Sequence, residues 1–118
     1  GAAVGAAGNA GGTPLHTAAA MGHAAVVELL LARGAAVDAR MDDGATPLHL
    51  AAEFGRPGAA AVLTAHHAAL DLAENNGDTP LQLATLHGHP GVAEVLMARQ
   101  AALDVARRAG GAPFDAAA

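Results

Sequence analysis

The side chains able to do chemistry in this chain of 118 residues are seven histidines and eleven carboxylates, since serine and cysteine are both absent. That removes the usual hydroxyl and thiol nucleophiles. Metal binding and acid–base work remain. Zinc needs about four ligands converging on a tetrahedron, and a catalytic zinc about three from the protein. His87-Gly88-His89 has a chelating spacing but no evident third ligand. Glu53, Glu74, Asp78 and Asp42 could pair as acid and base, yet carboxylates on open loop tips stay solvated and keep ordinary pKa values unless something buries them. His66-His67 is the other candidate pair, and four histidines are periodic. His16 and His49 fall at one fixed place in a repeating pattern, and His23 and His89 at another. One residue per period at a constant place is what a structural role produces. Neither catalysis nor a bound metal or cofactor is expected.

The pattern that positions them has a period of 33 residues, running from Thr13 to Thr46 to Thr79 without insertion or deletion. Gly11-Gly12-Thr13-Pro14-Leu15-His16 returns as Gly44-Ala45-Thr46-Pro47-Leu48-His49 and as Gly77-Asp78-Thr79-Pro80-Leu81-Gln82. Gly110-Gly111-Ala112-Pro113-Phe114-Asp115 keeps the frame, and Gly1-Ala2-Ala3-Val4 aligns with Gly34-Ala35-Ala36-Val37. The chain therefore reads as a single array: residues 1–10 the tail of one unit, 11–40, 41–73 and 74–106 three repeats, and 107–118 the start of another. It reads as excised from a longer protein. Units of this size bury a core only against their neighbours.

Within each unit the residues spell turn, helix, turn, helix. Thr13-Pro14 opens a first helix, because a hydroxyl accepts an orphan amide and proline lacks one. Leu15, Ala18 and Ala19 share a face, as do Leu48, Ala51 and Ala52. Gly22, Gly55 and Gly88 close the first helices. Second helices start near Ala24, Pro57 and Pro90, with an apolar stripe of Val26, Val27, Leu29 and Leu30 in the first copy and Val92, Val95 and Leu96 in the third. The middle copy, Ala59-Ala60-Ala61-Val62-Leu63, offers less to bury and is expected to be the soft joint. Second helices should end at Gly34, His67 and Gln100, each followed by a projecting connection such as Val37 to Gly44.

Thr13-Pro14-Leu15-His16-Thr17-Ala18 and Thr46-Pro47-Leu48-His49-Leu50-Ala51 carry the signature of the ankyrin repeat in full, and Thr79-Pro80-Leu81-Gln82-Leu83-Ala84 departs from it once. Essentially the whole chain resembles that family. The resemblance implies an all-α solenoid of stacked helix-turn-helix units with projecting turn or loop fingers. It also implies that His16 and His49 bond locally and tie one repeat's turn to the next. Asp38, Asp71 and Asp104 stand where the family often has an asparagine that can be hydroxylated, and as aspartates they are read as loop-stabilising acceptors of backbone N–H groups.

Net charge is −5, and the six cations are all arginines, scattered apart from Arg107-Arg108. With no Tyr, no Trp and two Phe, neither a phosphate-binding face nor a base-stacking platform is present, which argues against nucleic acid. No apolar run approaches membrane-spanning length. The lack of cysteine fits a reducing, intracellular compartment, and a monomer is expected.

The function that the resemblance implies is protein–protein recognition, as an adaptor, scaffold or targeting module that binds through finger tips and the first helices. A structural spacer and the recognition segment of a larger enzyme remain alternatives. Carried over by position, the fingers offer Asn9, Ala10 and Gly12, then Asp42, Asp43 and Ala45, then Asn75, Asn76 and Asp78. The helices add Ala20 and Met21, Glu53 and Phe54, and Leu86 and His87. These positions vary between copies while the framework does not. Asp42, Asp43, Glu53, Glu74 and Asp78 make the surface acidic, Arg40 excepted, and Met21, Phe54 and Leu86 dot it with apolar groups. The partner expected is a basic or mixed protein or peptide with apolar anchors. Phe54 alternatively packs between repeats.

Overall fold

A computed structural model describes residues 11–111, so the expected partial unit at 1–10, with Asn9 and Ala10, lies outside the described residues, as do positions 112–118. Six helices follow in order: α1 (Pro14–Met21), α2 (Ala24–Ala32), α3 (Pro47–Glu53), α4 (Pro57–Ala65), α5 (Pro80–Leu86) and α6 (Pro90–Gly111). They form two layers. α1, α3 and α5 pack side by side in one, α2, α4 and α6 in the other, and each helix pair also packs across the layers. This is the stacked solenoid that the 33-residue frame predicts. Among the described residues no helix is long and apolar enough to cross a membrane.

Each first helix starts the same way. The hydroxyl of Thr13 accepts the amide of His16, the ring nitrogen Nδ1 of His16 accepts the amide of Thr13 at 3.0 Å, and Pro14 opens the first turn. Thr46 with His49 and Thr79 with Gln82 repeat that reciprocal cap, which satisfies two orphan donors at once. Gly22 caps α1, while Gly55 and Gly88 follow the caps Phe54 and His87 of α3 and α5, and all three glycines have positive φ. At Gly55 two constraints coincide. Its φ of +69° suits glycine, and a Cβ there would sit 2.6 Å from the His89 ring of the next repeat.

Leu15, Leu48, Leu63, Val27, Val92 and Leu96 form the core with a bed of alanines, Ala18, Ala19, Ala51, Ala52, Ala59, Ala60 and Ala84. The small residues let helix backbones approach, and the leucines fill the space between layers. Two expectations are corrected, one on burial in the middle repeat and one on where α6 ends. The middle repeat does not bury less: Ala59, Ala60, Leu63 and Thr64 of α4 are all buried, against Val27 alone in α2. Repeat 2 has a neighbour on both sides, so even its alanines are enclosed, whereas Val26 and Leu29 of α2 are exposed. Position in the stack outweighs side-chain size.

The second correction concerns α6. The helix runs straight through Gln100, where a turn was expected by analogy with Gly34 (φ +93°) and His67 (φ +69°). Gln100 and Asp104 join within the helix by a 3.0 Å bond, and Arg107 adds a longer one to the same carboxylate. Leu103 and Asp104 therefore lie on a helix, not in a finger.

Candidate protein-recognition surface

Two fingers project from the described array. In the first, the amide of Met41 donates to the Ala45 carbonyl, the amide of Gly44 closes the turn onto Met41, and the Asp43 carboxylate accepts the Ala45 amide. In the second, Glu74 donates to Asp78, Gly77 closes onto Glu74, and the Asn76 side chain accepts the Asp78 amide. Asp and Asn favour such turns because a short side chain can hold a backbone N–H two residues on. The fingers then stack: the Asn75 amide donates to the Asp43 carbonyl at 2.8 Å and its side-chain amide to the Asp42 carbonyl at 3.0 Å. Arg40 reaches across the same step to the Ala73 carbonyl at 3.1 Å.

Below the fingers, histidines tie the turns together. Nε2 of His16 donates to the Ala45 carbonyl, and Nε2 of His49 to the Asp78 carbonyl, each at 3.0 Å. Since a carbonyl only accepts, the proton sits on Nε2 and leaves Nδ1 for the helix cap. Both rings are buried, and that burial lowers their pKa below the usual histidine value. They are neutral and fully engaged. His89 plays the other periodic role, donating from Nε2 to the Glu53 carbonyl at 3.1 Å, and Arg56 in the same place donates to the Ala20 carbonyl at 2.9 Å. The expected carboxylate acceptor also appears, for Asp38 accepts the Ala69 amide at 3.1 Å. Of the remaining histidines, His66 pairs with Glu28 at 2.7 Å and His87 stacks on His89. Among the described residues no three His, Asp or Glu side chains are placed to hold a metal ion.

A period of 33 with Thr-capped first helices, stacked fingers and cross-repeat histidines is one family's architecture, and the family model "Ankyrin repeats (3 copies)" matches residues 2–72 and 33–108. The chain belongs to the ankyrin repeat family. A comparison with curated proteins finds no match. Ankyrin repeats are generally protein–protein interaction modules, which turns attention to the side chains that the framework leaves free.

In this ankyrin array Met21 and Phe54, at the ends of α1 and α3, are 55% and 50% exposed. Together with Met41, Leu50, Ala20, Thr17 and Gly12 they line an open, mostly apolar hollow of about 430 Å³. Phe54 thus stands at a surface and is not core. Leu86, 71% exposed on α5, is not part of that hollow. One step along the frame the chemistry changes: Glu74 replaces Met41, Glu53 replaces Ala20, and His87 replaces Phe54. Glu74 is half-buried, and desolvation followed by the charges of Asp43, Glu53 and Asp78 pushes its pKa above the ordinary carboxylate value. That departs from the sequence expectation of solvated carboxylates with ordinary pKa values.

The predicted site residues therefore divide. Met21 and Phe54 meet in the hollow; Asp43, Glu53 and Asp78 gather around Glu74; Asp42 is exposed on the first finger. Arg40, Asn75 and Asn76 are exposed but spend hydrogen bonds on the finger stack. His87 caps α5. Gly12 and Ala45 are buried under the fingers and not at their tips. Met41 and Leu50 escaped the sequence reading. Met41 stands where the next copy carries Glu74, and that change of residue class was the available signal; Leu50 is matched by Leu83, so its sequence offered none.

Proposed function

We propose that this ankyrin array recognises a protein or peptide partner through the hollow between its first two repeats and the acidic ground beside it. The observation that carries this reading is Phe54. A large aromatic at half exposure, grouped with Met21, Met41 and Leu50, presents apolar surface that no other described part of the chain covers. Carboxylates of Asp42, Asp43, Glu53, Glu74 and Asp78 lie on the same side of the frame, so the partner that fits is basic or mixed in charge with an apolar anchor for the hollow. A net charge of −5 disfavours nucleic acid. No residue is assigned a catalytic role.

The test is to select ligands from a displayed peptide library on the purified chain, then measure their affinity for variants. Phe54→Ala should weaken the selected peptides by about 2 kcal/mol with little change in melting temperature. Asp42→Asn with Asp43→Asn should slow association and flatten its salt dependence. Peptides that bind all variants equally, or a library that yields none, would point back to a spacer.

A further inference from the structure

The far side of repeat 3 keeps the shape of a joint that no described residue occupies. In the interior joints, Gly44 and Gly55 are met at van der Waals range or closer by Asn75 and His89 of the next repeat. Gly77 and Gly88 hold the same backbone, φ +93° and +71°, and among the described residues nothing lies within 4 Å of where a Cβ would sit. Leu15 and Leu48 are buried, whereas Leu81, one period on, is exposed. Asp38 accepts the amide of Ala69; Asp71, its equivalent, is exposed. Beside it lies an open apolar hollow of about 260 Å³ lined by Leu70, Leu81, Leu96, Met97, Gln100 and Ala101, among others.

The chain that follows still carries the code for filling this face. Leu103-Asp104 stands one period after Leu70-Asp71, and Gly110 one period after Gly77. Arg107-Arg108 takes the place of Glu74-Asn75, and Arg108 in that register would face open Gly77 and the carboxylates of Glu74 and Asp78. Two substitutions explain why the helix forms instead. Gln100 replaces Gly34 and His67 at the left-handed turn, and Ala109 replaces Asp43 and Asn76, whose side chains close the finger turns. Gln, Ala, Leu and Arg are all strong helix formers. The helical outcome leaves Val105 62% exposed and the end face open.

We infer that residues 100–108 exchange between this helical extension and a docked form, in which the chain turns at Gln100 as it does at His67 and lies across the end face of repeat 3. The occupant of the open joint is the chain's own segment. In the docked form Asp71 accepts the amide of Ala102, as Asp38 accepts that of Ala69, and Arg108 meets the acidic second finger. Added salt disfavours that form, because its charges lie at the surface. Gln100 is the hinge.

The absence of native cysteine makes the test direct. Spin labels at N76C and A106C report the separation of finger tip and segment. Two distance populations are expected, the shorter one reduced by salt and increased several-fold by Q100G combined with A109D. Amide and Cα shifts of the same variant distinguish docking from melting: helical shifts over 101–108 should fall while the amides of Asp71, Gly77 and Leu81 move. A single distance in every variant overturns the inference. So does loss of helical shifts with Asp71, Gly77 and Leu81 unmoved, or a short population indifferent to the double substitution.

Discussion

The joint between repeats 1 and 2 and the joint between repeats 2 and 3 are built from the same bonds and finished with different chemistry. Inside, His16 and His49 make matching 3.0 Å bonds to the next turn, and Arg56 and His89 make equivalent bonds to the preceding helix end. Outside, Met21, Met41 and Phe54 at the first joint give way to Phe54, Glu74 and His87 at the second. The frame fixes which atom must be met, and not always by which residue: a guanidinium and an imidazole serve the same carbonyl position. Surface positions answer to no neighbour and are free to differ. On the proposed function, recognition is written where the two joints disagree, and stability where they agree.

The strongest way to break that division is to remove an agreed bond. His49→Ala deletes a buried ring that holds the Thr46 cap and the Asp78 carbonyl, and should cost about 2–4 kcal/mol in chemical denaturation. Gln82→Ala removes only a solvent-exposed cap and should cost about 1 kcal/mol or less. Equal losses would mean that the cross-repeat bond contributes nothing. The same pair of histidines gives a pH readout. Burial holds His16 and His49 below the ordinary histidine pKa when folded, so the unfolded chain takes up the proton first. Their contribution is present above about pH 6.5 and shrinks as pH falls toward the folded values, and in His49→Ala that acid-side slope should be reduced.

A second comparison isolates contact from backbone conformation. Gly55 and Gly88 have nearly the same φ, +69° and +71°, but only Gly55 is pressed by the next repeat, through His89. Gly88→Ala should cost about 1 kcal/mol, the ordinary penalty for a left-handed alanine. Gly55→Ala carries that penalty and must also displace a ring already bonded to the Glu53 carbonyl, so about 2 kcal/mol or more is expected. Thermal unfolding of both variants, side by side, measures the difference. Similar melting temperatures would show that His89 moves aside freely.

Most of the frame was legible because a period constrains every copy at once: Thr13, Thr46 and Thr79 could be placed without knowing any contact. What escaped depends on neighbours. Ala59 and Ala60 looked too small to anchor a repeat, and only their enclosure between two others makes them core. Gln100 was read as the end of a second helix, yet the helix runs through it to Gly111 and stands where a finger was expected. Phe54 could have been core or surface, because exposure is set by the helix end it caps and not by its type. Met41 and Leu50 joined the hollow only through packing of the first finger against α1 and α3.

The smallest effect expected concerns His67, the non-glycine residue with positive φ among the described residues. It occupies the place of Gly34, and its side chain accepts a 3.3 Å contact from Arg99 at the surface. His67→Gly removes left-handed strain worth about 1–2 kcal/mol, while glycine's extra unfolded-state freedom takes back part of that gain. A net stabilisation of about 0.5–1 kcal/mol is expected in denaturant titration, because an exposed contact of that length contributes little. Destabilisation would instead make the His67–Arg99 contact part of the joint, and would move α6 from the periphery of the frame into the set of bonds on which the two joints agree.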